Sequence, residues 1–415
     1  MATSGAVQRP AVVVTAVAST TALATDAEGT WSALRAGESG IESLGDYLGD
    51  RFDLPAHIGG RVKEDFDAQL SRVEIRRLSY MQKMALVLSR RLWDAAGAPE
   101  VDTRRLLVSV SHAFGSTLDL WTGYEEFKAR GLRAISPLAV QMHMPNAPAA
   151  AVGLERKAKA GVIAPTTADA SGASAIAEAW RLIALGEADV AICGGVESRI
   201  EPLPIVAFNN MGLLSTNDAD PEGACRPFDR DRDGMVFGEG GALLLVESEE
   251  HATARGATIL ARLMGVATNA DAHDLIEPDP SGEMAASAIT RALDLAGLTP
   301  PDVDHINAHA AGTIIGDAAE ACAIRKAFGT HQPAVTAPKA ALGHTMGASG
   351  AVEAVVTVQT VRDGVVPPTL NLRHLDPEID LDVVTGEARR GDYRYAVSNT
   401  MGFGGHNVAL VIGKY

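Results

Sequence analysis

Short apolar, β-branched runs alternate along this chain with longer Ala-rich stretches. The strand-like runs cover residues 11–17, 106–110, 190–193, 242–246, 305–309, 335–337 and 395–397. The helix-like stretches cover 81–96, 174–185, 283–296, 318–328 and 350–362. That alternation predicts βαβ units built on buried, largely parallel sheets. A short internal echo points to duplication. Phe237-Gly-Glu-Gly-Gly241 feeds the apolar run ALLLVES, and Gly404-Gly405 feeds VALVIGKY. Each glycine turn closes one half of the chain. The expected organisation is a disordered tip at 1–10, one α/β half at 11–255 and a second at 256–415. Insertions at 47–78 and 117–146 interrupt the first half, and segments of that kind carry dimer contacts and substrate entrances.

Composition narrows the function classes. The chain has 415 residues, 47% apolar and 21% charged, the make-up of a globular protein. No run of 18 apolar residues occurs, so no transmembrane segment is expected. Three cysteines in so long a chain argue against a disulfide framework, and the expected compartment is the cytoplasm. The net charge of −16 argues against broad nucleic-acid binding, which needs a basic footprint. An acidic partner would need a local basic patch. Arg72, Arg76, Arg77 and Lys83 in SRVEIRRLSYMQK offer one, and a solvated helix face is the alternative reading.

Four separated motifs carry the chemistry: RPFDRDRDGMVFGEGG at 226–241, HAAGTIIGDAAE at 309–320, KAALGHTMGASGAVE at 339–353 and NTMGFGGHN at 399–407. Together they resemble the β-ketoacyl-ACP synthase family over the whole chain from about Pro10 to Tyr415. The finer text, such as SPLAVQMHMPN, PEIDLDVV and GDYRYAV, is most similar to the mycobacterial long-chain synthases of mycolic acid elongation. The resemblance implies a thiolase fold of class α/β, with duplicated halves in a five-layered αβαβα sandwich. It also implies acyl carrier protein as partner, and a homodimer or a heterodimer with an active ketosynthase. No metal or dissociable cofactor is implied, since acyl groups arrive on the phosphopantetheine of the carrier.

In that family a cysteine at the start of a buried helix takes the acyl group, and two histidines assist decarboxylation of malonyl-ACP. A helix N-terminus lowers a thiol pKa, and paired imidazole N–H groups stabilise an enolate. Here the segment T/S-A-C-x-S-G reads Thr167-Ala168-Asp169-Ala170-Ser171-Gly172. Asp169 therefore stands at the nucleophile position, while His309, His344 and Lys339 match the remaining catalytic residues. On the substrate side the resemblance points to Phe403 as gatekeeper, Thr313 and Ala311 along the pantetheine arm, Phe114 at the acyl tunnel wall, and Met401 and Glu353. A carboxylate attacking a thioester would give a high-energy mixed anhydride. An ionised Asp169 would also oppose a malonyl carboxylate by roughly 4 kcal/mol at about 4 Å and an effective dielectric near 20. Asp169 reads alternatively as a helix N-cap. His112 reads as a loop histidine satisfied by backbone, or as a group pointing into the pocket. Cys193, Cys225 and Cys322 read as structural.

The functional expectation is a protein that binds acyl-ACP or malonyl-ACP without condensing them, acting as partner or regulator of an active synthase. The alternatives are a repurposed decarboxylase, hydrolase or hydratase using Asp169, His309 and His344, and an elongating synthase with an atypical mechanism.

Overall fold

The computed structural model describes residues 9–48 and 52–415. Most of the tip expected at 1–10 lies outside the described residues, as do residues 49–51 of the first insertion.

Among the described residues, eleven strands form one continuous sheet. The first half supplies β1 (Val12–Thr21), β2 (Leu106–Ser111), β3 (Gly161–Ile163), β4 (Val190–Val196) and β5 (Gly240–Ser248). The second supplies β6 (Ala261–Ala270), β7 (His305–Asn307), β8 (Ala334–Thr336), β9 (Asp382–Val383), β10 (Tyr395–Gly402) and β11 (His406–Gly413). Read outward from the centre, the order is β1-β5-β4-β2-β3 in one half and β6-β11-β10-β7-β8 in the other, with β9 at the far edge. The two halves thus share one topology, which the glycine-turn echo anticipated. They join where β1 pairs antiparallel with β6, Val13 opposite Arg262.

The sheet is mixed, which corrects the expectation of largely parallel strands. Around the centre the pairs β1–β5, β4–β5, β6–β11 and β10–β11 are antiparallel. Parallel pairing is confined to β2–β3, β2–β4, β7–β8, β7–β10 and the edge pair β8–β9. A strand covered on both faces is apolar throughout whichever way its neighbour runs, so its sequence carries no direction.

Helices complete five layers. They are α1 (Tyr80–Ala95), α2 (Thr117–Arg130), α3 (Ala147–Arg156), α4 (Ser171–Ala184), α5 (Pro202–Asn210), α6 (Glu283–Ala296), α7 (Ile314–Phe328) and α8 (Ser349–Asp363). The pair α4 and α8 packs between the half-sheets in the largest apolar cluster. On the outer faces, α1 and α3 cover the first half and α6 and α7 the second. α8 is buried from Ser349 through Val361, mostly through small and apolar residues, with Glu353 and Gln359 as buried polar exceptions that find partners in Lys339 and Ala27 O. Glycine lets α4 and α8 touch at their starts. A Cβ on Gly350 would stand 2.6 Å from the Ala173 Cβ, and one on Gly172 would stand 2.8 Å from the Gly347 carbonyl oxygen.

The insertion at 117–146 folds mainly as α2, whose Leu120, Trp121 and Tyr124 are half exposed. Among the described residues no helix is long and apolar enough to cross a membrane.

Candidate active site

The site forms where the starts of α4 and α8 meet. Thr167 to Ala170 make a tight turn into α4, with Ala168 at φ +50°, a left-handed conformation that costs a residue with a Cβ about 1–3 kcal/mol. Ser171 fastens the turn: its Oγ accepts from Thr167 N–H at 2.9 Å and donates to Ala168 O at 2.6 Å. Strand β10 crosses close by because position 402 is glycine; a Cβ there would lie 2.8 Å from Thr167 O. The N-cap of α4 is Ala170, and no side chain caps the helix. The capping reading of Asp169 therefore falls. Its carboxylate lines a cavity instead, with Oδ1 lacking a hydrogen-bond partner among the described residues and 3.9 Å from His344 Nε2. Burial pushes the Asp169 pKa up to about 6, against the pull of the Phe403 and Asp169 N–H groups and the Lys339 charge.

The two imidazoles are held in one tautomer. His344 Nδ1 accepts from Met346 N–H at 3.0 Å, so the ring proton sits on Nε2. The Lys339 ammonium donates to His309 O and Glu353 Oε1, each at 2.5 Å, and its third proton faces His309 Nδ1 at 3.2 Å. His309 therefore also carries its proton on Nε2. Burial, reinforced by the Lys339 charge, holds both imidazoles well below their usual pKa, so both are neutral at pH 7. The rings lie 5.3 Å apart at 78°. Two neutral N–H donors side by side suit a developing oxyanion or enolate.

Two carboxylates from one face of α7 shape the loop that carries His309. Glu320 accepts from the N–H groups of His309 and Ala310 at 2.8 and 2.7 Å, and Asp317 from those of Ala311 and Gly312 at 3.1 Å. Their i, i+3 spacing is the signal that they share a helix face.

The cavity above this floor measures about 310 Å³ and opens to solvent between Ile276 and Ile314. It gathers Asp169, His309, His344, Ala311, Thr313, Met401 and Phe403. Three other expected site residues stand back from it. Lys339 lies behind His309. Glu353, expected on the substrate side, is buried against Lys339, and burial pushes its carboxyl upward. Phe114 reaches the cavity only through Phe208, its ring 5.9 Å from that of Phe208, which in turn stacks on Phe403 at 5.4 Å.

His112 departs from its expected backbone pairing: it is buried, and neither ring nitrogen has a partner among the described residues. Lys83 leaves the proposed basic patch because Asp67 pairs with it at 2.7 Å, while Arg72, Arg76 and Arg77 are exposed. Among the described residues, no cysteine lines the cavity. Cys193 and Cys225 are buried, and burial pushes both thiols up, Cys225 to about 12. Cys322 faces Ser281 O. Sequence reasoning missed Glu197, whose partners come from two distant segments and so leave no local spacing to read.

Known proteins share this fold. Residues 9–252 match the family described as Beta-ketoacyl synthase, N-terminal domain, and residues 260–373 its C-terminal domain. The 3-oxoacyl-[acyl-carrier-protein] synthase 2 of Mycobacterium tuberculosis is 62% identical over 407 residues, covering 98% of each chain. Its counterpart from Mycobacterium leprae is 60% identical, covering 98% of this chain and 97% of that one. Among solved structures, a Beta-ketoacyl synthase from Burkholderia phymatum superposes with a TM-score of 0.90 at 30% identity, covering 98% of this chain and all of its own. With two matched family regions, a duplicated thiolase-type topology and relatives alike from end to end, the chain belongs to the β-ketoacyl synthase family.

Proposed function

We propose that this chain is an elongating 3-oxoacyl-ACP synthase of type II fatty-acid synthesis that works by an atypical mechanism, with the Asp169 carboxylate in the role that a thiol fills elsewhere in the family. The observation that carries this reading is the convergence of Asp169 with two imidazole N–H donors at the floor of one apolar cavity. The non-condensing role expected from the sequence finds no support among the relatives, whose names are those of synthases.

Asp169 attacks the acyl thioester, forming a mixed anhydride and expelling the carrier thiolate, which takes up a proton. Acylation removes the charge of Asp169, and with it the repulsion of roughly 4 kcal/mol against an incoming malonyl carboxylate. Malonyl-ACP then loses CO2, and the enolate oxygen accepts from the Nε2–H groups of His309 and His344. The enolate carbon attacks the acyl carbonyl of the anhydride, a carbon–carbon bond forms, and the Asp169 carboxylate departs. Acyl-ACP, malonyl-ACP and one proton become 3-oxoacyl-ACP, CO2 and free carrier. The anhydride lies above the thioester in energy, so acylation is reversible and short-lived.

The raised pKa of Asp169 favours a second reading, decarboxylation alone. A protonated Asp169 no longer repels malonyl-ACP; malonyl-ACP then loses CO2, the imidazole pair holds the enolate oxygen, and the enolate carbon takes up one proton from solvent to give acetyl-ACP. Exposed Arg72, Arg76 and Arg77 support docking of an acidic carrier protein. The half-exposed apolar side chains of α2 support a subunit contact, with a second copy or with an active ketosynthase. The mycobacterial relatives support a mycolic-type pathway, and the cytoplasm fits a carrier-dependent enzyme. The test supplies purified protein with acyl-ACP and malonyl-ACP together. Formation of 3-oxoacyl-ACP is expected; acetyl-ACP alone would move the assignment to decarboxylation, and neither product would end both readings.

A further inference from the structure

One buried carboxylate outside the reactive cluster is tied to both halves of the chain. Glu197 follows β4 directly and is 2% exposed. Its Oε2 accepts from the N–H groups of Ala113 at 2.8 Å, Phe114 at 3.4 Å and Gly347 at 3.1 Å, and its Oε1 from those of Gly115 at 3.3 Å and Ser198 at 2.9 Å. Gly347 is the donor from the second half, and it lies three residues after His344. Burying a carboxylate is costly unless it is fully bonded, and bonds from N–H groups to an ionised acceptor are the strong ones.

The turn that contains Gly347 is strained. Met346 sits at φ +48°, a conformation that costs about 1–3 kcal/mol and persists only where neighbours hold it. The two groups that reach His344 Nδ1 stand on either side of Gly347. Met346 N–H donates to it at 3.0 Å, and Ser349 Oγ lies 3.1 Å from it. The turn is also tightly seated. A Cβ on Gly347 would lie 2.8 Å from Glu197 Oε2 and 2.3 Å from Ala113 N, and a Cβ on Gly195 would lie 2.7 Å from Gly347 O. Without Glu197, the Gly347 N–H would lose its acceptor in the interior, and relaxation at Met346 would draw the donor away from the His344 ring.

We propose that Glu197 is a positioning residue: by holding the Gly347 N–H it keeps the strained turn at Met346–Ala348 in place and so fixes the His344 ring with Nε2–H aimed at the reacting oxygen. The proposal rests on the reading of His344 as a donor to the enolate oxygen. Glu197 does not line the reactive cavity and acts only through the turn.

Glu201 supplies the control. It is 4% exposed and anchors the same first-half loop, through the Ser116 hydroxyl at 2.7 Å and the Thr117 and Leu118 N–H groups at 2.8 and 2.9 Å, but it accepts nothing from the turn after His344. The test compares Glu197→Met and Glu201→Met in the full chain, by CO2 release from malonyl-ACP and by amide hydrogen exchange. Glu197→Met should lower kcat by roughly a hundredfold with little change in KM, the loss expected when a reacting group is misplaced. Its Met346 amide should exchange at least about tenfold faster than in native protein. Glu201→Met should leave that amide unchanged and alter kcat by no more than about threefold. In a His344→Ala background, Glu197→Met should cost nothing further, since it works through His344. Glu197→Gln keeps one oxygen able to face Gly347 and should restore most of the rate; should Glu197→Met fail to fold, the same contrast with Glu201→Gln is read at smaller size. Equal losses in the Glu197 and Glu201 variants, an unchanged Met346 amide, or additive effects with His344→Ala would overturn the proposal. Absence of CO2 release from native protein would overturn the enzymatic reading of the site, while the exchange contrast would still decide whether Glu197 holds the turn.

Discussion

Replacing Asp169 by Asn separates the charge of this side chain from its shape, and the size of the effect follows from the burial of the site. Burial places the Asp169 pKa at about 6. Against a malonyl carboxylate about 4 Å away, an ionised Asp169 costs roughly 4 kcal/mol at an effective dielectric near 20. Protonating it at pH 7 costs only about 1.4 kcal/mol, because the pH is about one unit above its pKa. In the absence of acyl-ACP, native protein therefore decarboxylates malonyl-ACP through its protonated minority. The Asp169→Asn variant should be about tenfold faster at pH 7 and about a hundredfold faster at pH 8, with the two proteins converging near pH 5. The assay is release of labelled CO2 from malonyl-ACP across that range. A native rate independent of pH, or a variant no faster at pH 8, would refute the electrostatic account of the site.

The same substitution bears on stability. A carboxyl whose pKa is raised by folding favours the native state fully below its unfolded value near 3.8, and that advantage is lost as pH rises to about 6. Asp169→Asn should thus gain roughly 3 kcal/mol over the native protein at pH 7 and little at pH 3.5, read from urea midpoints. Lys339→Met strands Glu353 Oε1 and His309 Nδ1 in the interior and should cost about 3–5 kcal/mol by the same measurement. Gly350→Ala would press a methyl group against the Ala173 Cβ at 2.6 Å and should lower stability by about 1–3 kcal/mol, seen as a lower melting temperature.

Much of this fold was legible in the chain because its burial is extreme. The run at 283–296 coincides with α6, and the central helix α8 announced itself through a long run of mostly small and apolar residues. Strand direction was not legible, since β1, β5 and β11 are buried almost from end to end whichever way their neighbours run. The reactive cluster was legible as motifs, because His309 and His344 sit in short stretches rich in glycine and small residues. What Asp169 does with its carboxylate was not. The capping reading failed because a strained turn at Ala168 displaces the helix start to Ser171, and no propensity encodes that displacement. Glu353 was expected on the substrate side through the family resemblance, yet its helix turns it inward onto Lys339. The hydrogen bonds that Glu197 and Glu201 accept from residues 113–118 were invisible for a related reason: they reach across more than eighty residues of chain.

If Asp169 carries the acyl group, the acyl-enzyme can be trapped during turnover. Native protein mixed with acyl-ACP and quenched in hydroxylamine should yield a peptide whose Asp169 side chain has become a hydroxamate, absent from the Asp169→Asn variant. Product formation with Asp169 left unmodified, or with the acyl group found on Cys193, Cys225 or Cys322, would contradict it.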